Sequence, residues 1–598
     1  MRRSHDMPFG SHLRSDGVEF RLWAPSASGV QLWTPQGEFE MKGEGGWHRV
    51  LVEGVTAGQR YRFRIGDELL VPDPASRFQP DDIDGPSVVV DPNGYSWADG
   101  DWSGRPWEEA VIYEVHIGTV TPEGTFSAFA KKLEQLSELG VTAIELMPVA
   151  DFPGSRGWGY DGVLHYAPDS AYGTPEQLKA LIDRAHGLGM TIILDVVYNH
   201  FGPSGNYLPA YAEDFFTERH KTLWGAGINF DGSASLIVRD YFLHNALYWL
   251  EEYHFDGLRF DAVHAIADDS QQHFIAELAA RIRADLAGRQ IHLILENAAN
   301  EARWLERDGE TPLLHTAQWN DDIHHAWHRL VTEEADGYYG DYDNPVARLG
   351  RCLAEGFAYQ GEFSQHEGKA RGEPSAHLPP SAFVSFLQNH DQVGNRAFGE
   401  RLNHIAAPEK LRLARAGLLL APQIPLIFMG EEWGASTPFQ YFVDFTDTEL
   451  SKAVRDGRRN EFAGFGAFKD EAVQKQIPDP TLQETVDRSK VDWTELSQPP
   501  HRDIWEQTRA LLRIRRAVIV PLSASGFKGA HWLQPTPQTL DVRWSFAAGA
   551  LRFVANFGDK EFDLPNAGEN PIWASEGITI SDRITLGPWT GAILMSAA

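Results

Sequence analysis

Eight short apolar runs between residues 110 and 429, separated by longer stretches of mostly helical period, constrain this chain more than any other feature. They are Ala110 to Ile117, Ala143 to Met147, Thr191 to Val197, Leu258 to Phe260, His292 to Leu295, Thr316 to Trp319, Ala382 to Leu387 and Pro425 to Met429. Apolar runs that alternate with helices read as strands of a parallel sheet covered on both faces. Eight such units predict an α/β fold closed into a (β/α)8 TIM barrel. Residues 174–188 show the local logic. Thr174 can cap a helix, Pro175 suits its first turn, Gln177 takes the capping-box position, and Gly187 or Gly189 ends it.

The flanks follow other patterns. Residues 18–71 alternate with period two, as in Val-Glu-Phe-Arg-Leu-Trp and Tyr-Arg-Phe-Arg-Ile, which predicts an immunoglobulin-like antiparallel sandwich. Asp91 to Glu109 has no period and reads as a linker. Past a last helix at Arg502 to Arg516, Leu540 to Phe546, Leu551 to Phe557 and Ala592 to Met595 predict a small carboxyl-terminal sheet domain. The expected domains are therefore 1–95, 96–519 and 520–598. The barrel carries insertions at 199–237 and 434–500, on the side where such segments shape a substrate cleft.

With 84 acidic against 53 basic residues the formal charge is −31, which repels nucleic acid and anionic lipid. The single cysteine, Cys352, excludes an internal disulfide, and no Cys/His cluster predicts zinc. Two arginines open the chain without an apolar segment behind them, and no run is long enough to span a bilayer. A cytoplasmic location is the expectation.

Polar residues fall at one end of the predicted strands: Glu114 and His116, then Asp195, Asn199 and His200, then Arg259 and Asp261, Glu296, Trp319 to His325, and finally His390 and Asp391. A barrel gathers them at one mouth. Two nearby carboxylates with a third acid suggest glycoside hydrolysis, in which one ionised carboxylate attacks the anomeric carbon and a protonated one serves the leaving oxygen. Arg259 lies on the same side of its strand as Asp261 and can keep it ionised, whereas Glu296 has no cation beside it in sequence. Asp261 is thus the expected nucleophile, Glu296 the acid and base, and Asp391 the holder of sugar hydroxyls. Glycosyl transfer to water requires no cofactor, and no dense carboxylate cluster predicts a structural cation.

Asp195-Val-Val-Tyr-Asn-His200, Gly257-Leu-Arg-Phe-Asp-Ala-Val-His264, Glu296 and Gln388-Asn-His-Asp391 resemble, in order, the four motif regions of the α-amylase family of glycoside hydrolases. The amino-terminal sandwich resembles the carbohydrate-binding-module-like one of branching and debranching enzymes. The resemblance implies α-retaining double displacement by Asp261, Glu296 and Asp391. It places His200, Arg259 and His390 around the sugar being cleaved, with Tyr160 stacked beneath it. Pro72 to Pro80, Gln318 to His325, Gln388 to Arg396 and Gly430 to Trp433 resemble the branch that cuts the α-1,4 bond next to the terminal trehalose of maltooligosyltrehalose. By that resemblance Asp321, Asp322, His324, His325, Gln392 and Asn395 contact substrate, and His264 meets the leaving-group side. Glu431 and Glu432 end the eighth strand and are candidates for the aglycone side; the sequence does not choose between them. Trp319 reads as a core residue rather than a sugar platform, and His328 suits a packed or solvated helix face as well as a ligand contact. The rivals are an α-1,4-glucan branching enzyme, a metal-dependent hydrolase and a carbohydrate-binding scaffold. The partner is an oligosaccharide, with no nucleic acid and no membrane, and no protein partner is specified.

Overall fold

The computed structural model describes residues 1–222, 225–462 and 474–597, so 223–224 and 463–473 of the two expected insertions lie outside the described residues. The apolar runs form eight parallel strands: β1 Ile112–Val115, β2 Ala143–Leu146, β3 Thr191–Val196, β4 Gly257–Phe260, β5 His292–Leu295, β6 Ala317–Trp319, β7 Phe383–Ser385 and β8 Ile424–Phe428. They pair in sequence order and β8 closes on β1, with Ile112 opposite Leu426, leaving no free edge. All their residues are buried, which is why the runs show no polar alternation.

Two strands are shorter than the sequence suggests. Ile117–Val120 turns into a short helix after β1, and Pro380–Ala382 forms a 3-10 turn before β7. One end of the barrel is filled by Ala143, Ile193, Ile294, Ala317, Val384 and Leu426, together with Trp107, whose indole N–H donates to the Ser381 carbonyl at 2.7 Å. Toward the other end the interior turns polar, with Glu114 opposite Glu145 and Asp195 opposite Arg259 in the strand register. Helix α1 (Pro175–Gly187) has the expected cap, with the Thr174 hydroxyl and the Gln177 side chain satisfying each other's backbone N–H groups. Helix α2 (Asp321–Thr332) begins directly beyond β6.

The amino-terminal unit is a sandwich of two antiparallel sheets, with Val18, Phe20, Leu32, Tyr61 and Phe63 completely buried between them. The carboxyl-terminal unit has a five-stranded sheet, Phe527–Leu533, Thr539–Phe546, Gly549–Asn556, Thr590–Ala597 and Asn570–Ala574, with a three-stranded sheet beside it. It seats on the helix Pro345–Glu355. Gly350 of that helix lies so close to Trp532 that a Cβ would come within 2.5 Å of the indole, and the Trp544 indole N–H donates to the Leu353 carbonyl at 2.8 Å.

The expected linker, Asp91 to Glu109, is irregular but anchored. Asp99 accepts from the ring Nδ1 of His186 at 2.9 Å and of His254 at 2.8 Å, Trp97 stacks on His254, and the Trp102 indole donates to Asp256. Burial opposes the Asp99 charge, but the His186 and His254 donors overcome it and hold the carboxyl well below its ordinary range. A depressed carboxyl contributes stability in full above the unfolded value near 3.8, and that contribution is lost as pH falls through the native value. Asp99→Asn leaves two buried imidazoles short of an acceptor charge and is expected to lower the unfolding free energy by about 3 kcal/mol in urea titration; an unchanged midpoint would show that the linker is not held this way.

Candidate active site

Arg259 sits at the centre of the polar mouth without solvent exposure. Its guanidinium lies 4.1 Å from the Trp319 ring centroid. Nη1 donates to both Asp195 oxygens at 3.0 and 2.8 Å and to Asp261 Oδ1 at 2.9 Å, while Nη2 donates to Glu296 Oε2 at 2.8 Å. Burial disfavours this cation, and the charges of Asp195 and Glu296 reverse that effect, so its pKa lies well above the ordinary arginine value. The contact with Glu296 corrects the sequence reading that this acid has no cation beside it. Neighbouring strands β4 and β5 bring together what 37 residues of sequence separate.

The two acids nevertheless differ. Both oxygens of Asp261 are occupied, Oδ1 by Arg259 and Oδ2 by the Asn199 amide at 2.7 Å. In Glu296, Oε2 accepts from Arg259 and from the Ala262 backbone N–H at 2.9 Å, while Oε1 has no hydrogen-bond partner among the described residues. Oε1 is therefore the oxygen free to carry a proton. The two carboxyls are thus bonded to different nitrogens of one guanidinium, Asp261 to Nη1 and Glu296 to Nη2. Asp391, with 38 % of its side chain exposed, is the most open of the three acids; Oδ1 accepts from the Asn395 amide at 3.2 Å.

His390 joins this group to β1. Its Nδ1 bonds Glu114, its backbone N–H donates to Glu114 Oε2 at 3.0 Å, and Nε2 lies 3.5 Å from Asp391 Oδ1. Burial favours the neutral ring, but the charges of Glu114 and Asp391 overcome it and push the pKa up to about 9. The Tyr160 ring stacks on His390 with centroids 5.1 Å apart, and its hydroxyl donates to Asp195 at 2.6 Å. His200 Nε2 bonds the Tyr160 carbonyl at 3.0 Å. Asp195 itself is pushed up to about 7 by burial, with Arg259 opposing and Asp261 adding to the shift.

Beside these acids opens a cleft of about 230 Å³ that includes Asp321, His325, Asp391, Gln392 and Asn395 in its walls. Asp321 is pushed up to about 7 by burial and by the nearby Glu296 charge, against the pull of Arg371. The rest of the wall was not anticipated from sequence: Tyr338, Asp341, His366 and Arg371 come from the stretches on either side of the helix Pro345–Glu355, which carry no motif to announce them. The described part of the 434–500 insertion does not line this cleft. It braces the loop after β7 instead, with Arg458 donating to the Gly394 and Arg396 carbonyls.

Several expected contacts lie elsewhere. Asp322 is fully enclosed, held by Tyr342, Asn300, the Ala358 and Tyr359 N–H groups and Arg371, so it orders the cleft wall rather than reaching into the cleft. His324, two residues on, also faces inward, bonded to the Leu387 carbonyl and the Tyr339 hydroxyl, and burial keeps its pKa well below the ordinary value. His264 is exposed, with Nδ1 accepting from the Ala298 N–H at 3.2 Å. Glu431 and Glu432 fold back into the interior and are pushed up by burial to about 7 and about 8. His328 is packed against Tyr339 and bonds Glu334. Glu145 has no hydrogen-bond partner among the described residues for either carboxylate oxygen, and burial beside Glu114 raises its pKa well above normal. Among the described residues one group has metal-ligand spacing, His220, Asp231 and Asp269. Arg219 already bridges its two carboxylates, at 3.3 and 2.7 Å.

Residues 83–225 match the family model described as the catalytic domain of alpha amylase, residues 8–92 that of carbohydrate-binding module 48 (isoamylase N-terminal domain), and residues 527–593 a domain of unknown function, DUF3459. The chain is 44% identical over 502 residues to a malto-oligosyltrehalose trehalohydrolase of Deinococcus radiodurans, covering 84% of this chain and 81% of that one. It is 41% identical over 532 residues to that of Saccharolobus solfataricus, with 88% and 90% covered. A solved structure titled a putative alpha amylase from Salmonella typhimurium superposes with a TM-score of 0.94 at 46% identity, over 99% of this chain and 100% of that one. A 1,4-alpha-glucan branching enzyme of Corynebacterium jeikeium is 34% identical over 42% of this chain and 39% of its own length.

The His390 ring is expected to titrate near 9 by NMR, and Glu114→Gln to bring it down toward 6.5. A raised histidine pKa contributes stability in full below the unfolded value near 6.5, and that contribution disappears as pH rises through about 9. Activity that needs the imidazolium falls over the same upper range. A wild-type ring titrating near 6.5 would contradict the Glu114 assignment.

Proposed function

This chain belongs to the malto-oligosyltrehalose trehalohydrolases of the α-amylase family, and we propose that it hydrolyses the α-1,4-glucosidic bond next to the terminal trehalose of maltooligosyltrehalose, releasing trehalose and a shortened maltooligosaccharide. The observation that supports this chemistry is the single guanidinium bonded by both Asp261 and Glu296.

In the first step an oxygen of Asp261 attacks the anomeric carbon while Glu296 transfers a proton from Oε1 to the glycosidic oxygen, and trehalose leaves as the neutral alcohol. The glycosyl group is then an ester of Asp261. In the second step Glu296, now ionised, takes a proton from water; the resulting nucleophile attacks the same carbon and frees Asp261, so the anomeric configuration is retained. Asp391 and the His390 imidazolium hold sugar hydroxyls as oxocarbenium charge develops, with Tyr160 beneath the ring and His200 beside it. His264 meets the leaving-group side. Asp321, His325, Gln392 and Asn395 recognise the trehalose end, aided by Tyr338 and Arg371 across the cleft. The sandwich of residues 1–95 and the sheet domain 520–598 flank this unit. A cytoplasmic location suits a chain whose one cysteine is buried and unpaired and in which no helix among the described residues is long and apolar enough to cross a membrane.

Incubation with maltotriosyltrehalose is expected to release trehalose far faster than plain maltopentaose releases any sugar. Equal cleavage of both would make this a general amylase, and new α-1,6 branches on amylose without trehalose release would make it a branching enzyme. Asp261→Asn and Glu296→Gln are each expected to lower kcat on the order of 10³-fold or more; wild-type turnover in Asp261→Asn would remove that residue from the mechanism.

A further inference from the structure

Away from the cleft, a cavity of about 210 Å³ lies between helices α3 (Pro408–Leu419) and α4 (His501–Ile514) and the strand Asn570–Ala574 with the turn that follows it. Its lining includes Arg412 and Arg415 from α3, Gln507 from α4, and Trp573, Ser575 and Glu576 from the carboxyl-terminal sheet domain. The two arginines are three residues apart and so project from the same side of the helix. Neither makes a hydrogen bond or a close ion pair among the described residues, although the Glu431 and Glu432 charges act on Arg415 from its inner side. Adjacent like charges repel, and burial together with Arg412 outweighs the help of Glu431, so the Arg415 charge is disfavoured and its guanidinium lacks a hydrogen-bond acceptor. An anion placed between the two relieves both costs, and arginine forks match phosphate oxygens.

The remaining lining is not that of a bare anion site. Trp573 is half-buried and presents a flat apolar face, while Gln507 and Ser575 supply hydroxyl-binding groups. Glu576, exposed at the rim, accepts from hydroxyls and disfavours a second negative charge nearby. We propose that this cavity binds a monophosphorylated sugar, with its phosphate between Arg412 and Arg415, its ring on Trp573 and its hydroxyls on Gln507, Ser575 and Glu576. The ligand would sit where barrel helices meet the carboxyl-terminal domain, outside the hydrolytic cleft.

Isothermal titration of the full chain with glucose 6-phosphate tests this directly, with maltose and inorganic phosphate as comparison ligands. One saturable glucose 6-phosphate site is expected, with affinity at least tenfold above that for either comparison ligand. Arg412→Ala, at an exposed helix position, is expected to weaken it at least tenfold while leaving kcat on maltotriosyltrehalose unchanged, which also shows that the variant is folded. Trp573→Ala is expected to reduce glucose 6-phosphate binding but not that of inorganic phosphate. Absence of glucose 6-phosphate binding, equally tight maltose binding, or binding that survives Arg412→Ala would each overturn the assignment.

Discussion

A guanidinium closed off from solvent, laid on the Trp319 indole and bonded to carboxylates from three strands, sets the position of everything above it. Arg259 has one positive charge against the carboxylates of Asp195, Asp261 and Glu296. Such a cluster is costly to bury unless its hydrogen bonds are complete, and removing one member leaves the others uncompensated. The surroundings meet that cost in two ways. His390 carries a second cation on the far side of Tyr160, and Asp195 and Glu145 are shifted toward their protonated forms by burial. The barrel interior is thus a graded medium, apolar at one end and balanced between protons and charges at the other.

In the proposed mechanism the same guanidinium accounts for two carboxyls of similar type taking different parts. It does so through the second partner of each acid rather than through the presence or absence of a cation. Asp261 is held at both oxygens, which fixes its aim. Glu296 is held at one, which leaves the other for the proton transfer proposed above. Preorganisation of this kind acts before substrate arrives and requires no rearrangement at the moment of bond breaking.

Much of this was legible in the chain. Buried parallel strands leave uninterrupted apolar runs, and the inward polar residues sit at fixed ends of those runs, so eight strands and Asp195, Arg259, Asp261, Glu296, His390 and Asp391 could be read in order. Three things could not. The partner of Glu296 comes from a neighbouring strand, and a cation's reach across a sheet leaves no trace in local sequence. Asp322 and His324 stand among polar neighbours within three residues of Asp321, yet helical geometry turns them into the protein while Asp321 and His325 face the cleft. The wall with Tyr338 and Arg371 comes from a short 3-10 turn and a loop, and Arg371 is held there by Asp322 and Tyr342 rather than by any repeating pattern.

The division of labour at Arg259 is tested most directly by trapping the glycosyl-enzyme. In a Glu296→Gln variant incubated with 5-fluoro-α-glucosyl fluoride, the first step proceeds on the activated leaving group and the second lacks its base. Mass spectrometry of the digested protein is expected to find the fluoroglucosyl group on the peptide containing Asp261. A label on Asp391 or Asp195 instead, or an inverted product with no ester formed, would contradict the account.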